Sequence, residues 1–171
     1  MKRVFGYGSL VNRKTHDFPC VKSSLTGWER VWVSLPGRPF AILSARRAEV
    51  TIEGLMLEVP LAGQPDLDSR EAEYDCVSLP GGSFVYSIPA ANTVGRPTPI
   101  LRSYLDVVFQ GFDAEFGPES LNGFLETTAD WDRGIYDDRA APIYPRAQVL
   151  TTDQSARYDA MLASVPVVEE L

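Results

Sequence analysis

The sequence contains few of the residues that most metal sites and nucleophilic catalytic sites require. Cysteine occurs only at Cys20 and Cys76, and His16 is the single histidine. These residues are too few for a structural zinc site of the Cys/His type or for a triad with several histidine candidates. Cys76 lies in an apolar run and is expected to be a buried thiol, and His16 is expected at the surface. Catalytic proton transfer therefore falls to carboxylates, tyrosines or serines.

Long apolar runs and basic patches are also missing. No stretch approaches the length needed to span a membrane, and the N-terminus lacks the apolar segment of a secretory signal. The net charge is −7 with a pI near 4.7, and no Lys/Arg run is interleaved with aromatics. The electrostatic footprint of nucleic-acid or anionic-membrane binding is thus absent. We expect a cytoplasmic protein that binds neither nucleic acid nor membrane.

The chain of 171 residues, 44% of them hydrophobic, is suited to one domain over residues 1–171. Clusters of β-branched and aromatic residues predict strands, and Gly54 inside one of them suggests a bulge or bend. Helical patterns follow Pro65 and dominate the second half. This order predicts an α+β fold with an antiparallel or mixed sheet that curls towards a barrel. The strands are expected at 3–7, 27–34, 40–44, 50–59, 74–79 and 84–88, and the helices at 65–74, 100–112, around 121–125 and 152–164.

Glu71 is a candidate catalytic carboxylate. In a helix over 65–74, Leu67, Glu71 and Tyr74 fall within one stripe, so the carboxylate shares a face with apolar residues. Burial raises the pKa of a carboxylate towards the range that a general base needs at neutral pH. The alternative is a structural ion pair with an arginine such as Arg70, Arg139 or Arg146, and the helix alone does not separate the two interpretations.

A polar turn follows the first predicted strand. Tyr7, Gly8, Ser9 and Leu10 offer backbone N–H groups beside a hydroxyl, which suits an anionic group or a developing oxyanion. The alternative is that these glycines only allow the chain to make a tight turn after the strand. The chain lacks the glycine spacings of nucleotide-binding loops, so we expect no nucleotide site.

Together, the Tyr-Gly-Ser-Leu turn at 7–10 and the Arg70-Glu71 pair before Tyr74 resemble the γ-glutamylcyclotransferase-like superfamily, which includes ChaC-like and AIG2-like proteins. The resemblance continues through 50–54, 100–111 and 117–125 and covers most of the chain up to about Arg146. It implies a small, mixed, largely antiparallel β-barrel flanked by helices, with the turn and the glutamate facing each other across a pocket. Phe124 departs from the tyrosine expected in ChaC-like relatives, which argues against glutathione specificity.

The implied activity is cyclisation of a γ-glutamyl compound to 5-oxoproline, with Glu71 as base and then acid and with no metal or organic cofactor. The turn at 7–10 would bind the substrate, and the Tyr7 hydroxyl would either contact the substrate or serve packing. Arg139 and Tyr144 would close the pocket, unless Arg139 forms a surface ion pair.

Several alternatives stay open. The leaving group is an amino acid, a peptide or an amine, and a non-catalytic member would only bind the metabolite. A third interpretation is a structural or partner-binding domain without a pocket. An exposed apolar patch on the helix at 100–112 would favour that interpretation or indicate a dimer, so the chain is expected to be a monomer or a homodimer.

Overall fold

The computed structural model describes all 171 residues and contains a long β-hairpin, shorter strands and four helices. None of the helices is both long and apolar enough to cross a membrane. The strands are β1 (Lys2–Gly6), β2 (Cys20–Val33), β3 (Ile42–Val59), β4 (Asp75–Ser78), β5 (Phe84–Ser87), β6 (Ile100–Leu101), β7 (Thr128–Ala129), β8 (Ile135–Tyr136) and β9 (Val167–Val168). The helices are α1 (Gln64–Arg70), α2 (Arg102–Phe116), α3 (Ser120–Glu126) and α4 (Thr152–Met161).

The main sheet has the strand order β4-β5-β1-β3-β2-β7. Its long ladders, β1 with β3 and β2 with β3, are antiparallel, as is the β4–β5 pair, whereas β1–β5 and β2–β7 are short parallel pairs. A second sheet of β6, β8 and β9 is parallel. The predicted α+β class and largely antiparallel sheet are confirmed. The sheet is open and not a closed barrel, because the edge strands β4 and β7 each pair on one side only. Cys76 lies in the edge strand β4 and is exposed, whereas the sequence predicted a buried thiol.

The hairpin of β2 and β3 differs from the prediction in its continuity. The strands predicted at 40–44 and 50–59 belong to the single strand β3. The bulge of the hairpin is in the partner strand β2, where the register shifts between Thr26 and Trp28. Gly27 occupies the bulge with φ of 83°. Gly54 pairs in regular register; a Cβ there would lie 2.2 Å from the Gly6 carbonyl oxygen. Glycine at 54 therefore serves close approach of β1 and not a bulge.

The core lies between the main sheet and α2. Helix α2 presents Leu105, Phe109 and Phe112 at helical spacing, and all three are buried. Phe124 of α3 is likewise buried and packs on Phe109 and Phe112, with ring centroids 5.6 and 5.1 Å apart. The apolar stripe predicted for this helix is therefore covered by the protein itself, and the helix supplies a fixed wall behind the loop that follows β1.

Helix α1 is shorter than predicted. Pro65 stands in its first turn, Leu67 is buried, and the helix ends at Arg70. Glu71 is the C-cap residue, with φ of −104° and ψ of 23°, and its amide still donates to the Leu67 carbonyl. The chain therefore leaves the helix at Glu71, one residue after the arginine.

Candidate active site

A cavity of about 290 Å³ opens beside the end of β1. Five segments line it: the loop at 6–10, Arg38 with residues 40–43 around the start of β3, the end of α1 with the turn after it, Tyr104 of α2, and residues 143–146. The cavity is at the lower end of the size range for small-molecule sites. The polar turn and the glutamate that the sequence singled out thus lie in one cavity, although more than 60 residues separate them.

Close packing requires glycine in the turn at 7–10. A Cβ on Gly8 would lie 2.7 Å from the Tyr104 hydroxyl oxygen and 3.1 Å from Leu43 Cδ2. Ser9 to Val11 form one turn of 3-10 helix, in which the amide of Val11 donates to the Gly8 carbonyl. The Gly8 amide donates to no acceptor within the protein. It is therefore available to an anionic atom in the cavity.

Arg70 links this turn to the glutamate. Its guanidinium Nη2 donates to Ser9 Oγ at 2.9 Å and its Nη1 to the Thr15 carbonyl at 3.2 Å. Its Nε lies 3.3 Å from Glu71 Oε1, and the two side chains are only 8% and 12% exposed. The guanidinium presents five N–H donors in a planar fork, so it can hold these three groups at once.

Arg30 of β2 holds the turn from the core side. It is buried and donates through Nε to the Tyr7 carbonyl at 2.8 Å and through Nη2 to the Glu53 carbonyl. Its guanidinium stacks on the rings of Phe112 and Phe124, at 4.9 and 4.6 Å from their centroids. A buried arginine with carbonyl acceptors and aromatic faces therefore fixes the chain where β1 ends.

The far end of the turn is fixed by Asn12 and His16. Asn12 Nδ2 donates to the Val107 carbonyl at 2.9 Å, and Gly111 allows this approach because a Cβ there would lie 2.6 Å from the Asn12 amide. His16 is partly buried and not a surface side chain as expected; its Nε2 lies 2.9 Å from the Leu10 carbonyl oxygen. The turn is thus anchored at both ends and forms a rigid wall of the cavity.

Glu71 lines the cavity with its carboxylate largely removed from water. Burial raises its pKa, and the positive charges of Arg70 and then Arg146 oppose the rise. The net direction is upward, so burial outweighs the two arginines. A buried carboxylate with a raised pKa, in the same cavity as the free amide of Gly8, can accept a proton and return it.

Four tyrosines line the cavity, and the three that belong to β1, α1 and α2 or to the turns after them do so in different ways. The hydroxyl of Tyr7 donates to the Tyr86 carbonyl at 2.7 Å and that of Tyr74 to the Leu43 carbonyl at 2.8 Å, so both hydroxyls are occupied by the main chain. Burial, followed by the negative charge of Glu71, raises the pKa of Tyr7. Tyr104 is different, because burial raises its pKa while hydrogen bonding with Ser9 lowers it. Its phenol therefore adjoins the polar turn.

The segment at 137–146 is docked on α2. Asp138 is buried, and its carboxylate accepts from the Ser103 amide at 2.7 Å, the Ser103 hydroxyl at 2.5 Å and the Ile143 amide at 2.8 Å. It therefore satisfies donors at the N-terminus of α2, where a negative charge is favourable. Tyr144 follows and packs edge-on against Tyr104, with ring centroids 5.0 Å apart.

Arg139 lies outside the cavity. Its Nε donates to Asp106 Oδ2 at 2.6 Å and its Nη1 to Asp159 Oδ1 at 2.8 Å. The structure brings Tyr144 to the cavity, as the sequence led us to expect, but gives Arg139 an ion-pair position between α2 and α4.

Arg38, Tyr104 and Arg146 also line the cavity and were not singled out as binding residues. Tyr104 was hidden in the apolar stripe of α2. Arg38 lies in a Pro-Gly-rich turn, and Arg146 in a segment without periodicity. No cluster of three or more His, Cys, Asp or Glu side chains is arranged to hold a metal ion.

The sequence matches no protein-family model and no curated protein. Solved structures do match. A γ-glutamyl cyclotransferase aligns with a TM-score of 0.57 at 12% identity over 91% of this chain and 96% of its own. An uncharacterized protein from Homo sapiens aligns with a TM-score of 0.55 at 13% identity over the same shares. YkqA from Bacillus subtilis aligns with a TM-score of 0.57 at 14% identity over 75% of this chain, but the match spans only 56% of YkqA.

At these identities the similarity is one of fold. The chain has the γ-glutamylcyclotransferase-like fold, and the sequence-based prediction of that fold is confirmed. Activity and residue roles do not follow from the fold alone.

Proposed function

We propose that this protein is a γ-glutamylcyclotransferase-type enzyme, which cleaves a γ-glutamyl amide by intramolecular cyclisation to 5-oxoproline and a free amine or amino acid. The observation that carries the proposal is the buried Glu71 carboxylate, with its raised pKa, in the same cavity as the free amide of Gly8. The enzyme acts as a single cytoplasmic domain.

In this mechanism the substrate's α-ammonium faces Glu71. The carboxylate removes one proton, and the freed amine attacks the γ-carbonyl carbon, so that a new C–N bond closes a five-membered ring. The main task of the protein is to fold the γ-glutamyl arm into attack geometry, because nucleophile and electrophile belong to one molecule.

The turn at 7–10 stabilises negative charge. The backbone amides of Gly8, Ser9 and Leu10 bind the α-carboxylate or the oxyanion that forms when the amine attacks. Arg70 keeps Ser9 in place through its 2.9 Å hydrogen bond, and Tyr7 forms part of the wall. Because the turn is anchored before substrate arrives, little reorganisation is needed at the moment of reaction.

The protons balance within the reaction. The amide bond to the leaving nitrogen breaks as Glu71 returns its proton to that nitrogen. A second proton, lost by the attacking nitrogen when it becomes the lactam N–H, also ends on the departing amine, which leaves as an ammonium. One carboxylate therefore serves as base and then as acid, and a raised pKa assists both steps.

A non-catalytic protein that only binds such a metabolite is the second candidate. The 3.3 Å ion pair between Arg70 and Glu71 favours it, because a carboxylate held by an arginine can serve structure alone. The two candidates share the cavity and differ in turnover.

Release of 5-oxoproline from glutathione, γ-glutamyl dipeptides and γ-glutamylamines tests the proposal. The wild type should turn over at least one compound, and Glu71→Gln, which keeps the shape but cannot take the proton, should lose turnover. Glu58→Gln is the matched control, since Glu58 is exposed and outside the cavity. If no compound is turned over while one of them raises the melting temperature, the protein is a binding module.

A further inference from the structure

Arg146 is the unpaired cation of the cavity. Three arginines line it, and two have acidic partners: Arg70 with Glu71, and Arg38, whose Nε donates to Glu73 Oε1 at 2.9 Å. The guanidinium of Arg146 makes no hydrogen bond and no ion pair within the protein. Since an arginine presents five donors in a planar fork that matches a carboxylate, a partly buried one without a partner is suited to an anionic ligand.

The net charge of the cavity also favours an anionic ligand. Its three arginines and two ionised glutamates leave one positive charge, although the protein as a whole carries −7. A γ-glutamylamine is neutral overall, since its α-ammonium and α-carboxylate cancel. A γ-glutamyl amino acid or peptide carries a further carboxylate on its leaving group and has one negative charge. The cavity is therefore complementary to the second kind of compound.

Arg146 belongs to a different segment of the cavity wall from the groups that would hold the γ-glutamyl part, although its positive charge reaches Glu71. Ser9 and Glu71 are both contacted by Arg70, so the turn, the base and this arginine form one connected wall. Arg146 comes from the 137–146 segment, which Asp138 fixes to α2 independently of that wall. With the γ-glutamyl arm placed between the turn and Glu71, the free guanidinium is left for the other end of the substrate.

We propose that Arg146 binds a carboxylate on the leaving group and thereby selects γ-glutamyl amino acids and peptides over γ-glutamylamines. This rests on the proposed function, because it assigns one end of the substrate to the turn and Glu71. Arg146 is then a specificity-determining residue that touches the leaving group.

A matched pair of substrates tests the inference. γ-Glutamylalanine and γ-glutamylethylamide differ only in the leaving-group carboxylate, so the ratio of their kcat/KM values isolates its contribution. A charge-assisted, bidentate contact predicts a ratio of roughly 10 to 100 in the wild type. Arg146→Gln should bring the ratio to near one, and Arg146→Lys should restore part of it. Arg96→Gln, at an exposed arginine outside the cavity, should leave the ratio at its wild-type value.

Two outcomes would overturn the inference. If Arg146→Gln lowers kcat/KM equally for both substrates, the residue binds the α-carboxylate. If it instead shifts the pH profile for both substrates alike, it acts only on the ionisation of Glu71, whose pKa Arg146 lowers.

Ligand binding distinguishes failure of this inference from failure of the proposed function. If the wild type turns over neither of these compounds nor any other γ-glutamyl compound of the panel, the cyclotransferase proposal fails. Arg146 is then judged by calorimetric titration with the same two compounds. Tighter binding of γ-glutamylalanine that disappears in Arg146→Gln supports the assignment, and equal binding of both compounds to the wild type refutes it.

Discussion

Replacing Asp138 by Asn tests whether a single buried carboxylate docks the 137–146 segment. Its Oδ1 accepts from the Ser103 amide, and its Oδ2 accepts from the Ser103 hydroxyl and the Ile143 amide. An asparagine can keep the two hydrogen bonds that Oδ2 accepts. Its NH2 group, which is a donor, then faces the Ser103 backbone N–H, which is also a donor. Loss of one charge-assisted bond, together with an unsatisfied buried donor, predicts about 2–4 kcal/mol of destabilisation.

For a chain of this size that loss lowers the melting temperature by about 4–16 °C. Thermal unfolding followed by circular dichroism measures it, and hydrogen exchange should show faster exchange at the amides of Ser103 and Ile143. Asp137→Asn is the matched control, because Asp137 is exposed and should change stability by less than about 0.5 kcal/mol. If Asp138→Asn unfolds at the same temperature as Asp137→Asn, the carboxylate is not the anchor and the argument for a fixed Tyr144 and Arg146 fails.

Three further predictions concern the cavity and the strand beneath it. Because burial raises the pKa of Glu71, its ionised form destabilises the fold, so Glu71→Gln should have a higher melting temperature than the wild type at neutral pH. This difference in melting temperature should grow as the pH rises from about 4 and vanish below that value. A lower melting temperature of the variant at neutral pH would contradict the prediction. The same raised pKa predicts that kcat/KM falls on acidification at a pH above the ordinary glutamate value of about 4.3, and a profile that stays flat to pH 4 would exclude Glu71 as the base. Gly54→Ala places a Cβ 2.2 Å from the Gly6 carbonyl oxygen and should cost about 3 kcal/mol or more in chemical denaturation, whereas Gly95→Ala, in open space, is the control that should be nearly neutral.

The fold was accessible from the sequence because its main signals are local. Pro-Gly punctuation and β-branched clusters marked most strands, and the apolar stripe marked α2. The continuity of β3 was not predicted, because residues 45–49 are alanines and charged residues without a β-branched or aromatic side chain. They form a strand through pairing with β2. The role of Gly54 was missed for a related reason, since the atom that requires glycine belongs to Gly6, far away in sequence.

Only some residues of the candidate site could be predicted from the sequence. The turn at 7–10 and Glu71 could be found, since each has a local pattern and their combination resembles a known superfamily. Arg146 and Tyr104 could not be ranked as binding residues, because their relevance depends on how the 137–146 segment docks on α2. Arg139 and Arg146 lie in that same segment, and only the tertiary contacts show that the first is neutralised by Asp106 and Asp159 while the second is not.

The end of α1 explains how two consecutive residues serve one cavity. Neighbouring side chains in a helix point about 100° apart, so contact of Arg70 and Glu71 with one cavity does not follow from helical spacing alone. The helical stripe predicted that Glu71 lies on the same side as Leu67, and the structure keeps that direction because the Glu71 amide still donates to the Leu67 carbonyl, although the helix ends at Arg70. Arg70 then reaches Ser9 at 2.9 Å while its Nε stays 3.3 Å from the Glu71 carboxylate. The end of α1 is therefore part of the site, because the base and the arginine that holds the turn lie there at contact distance.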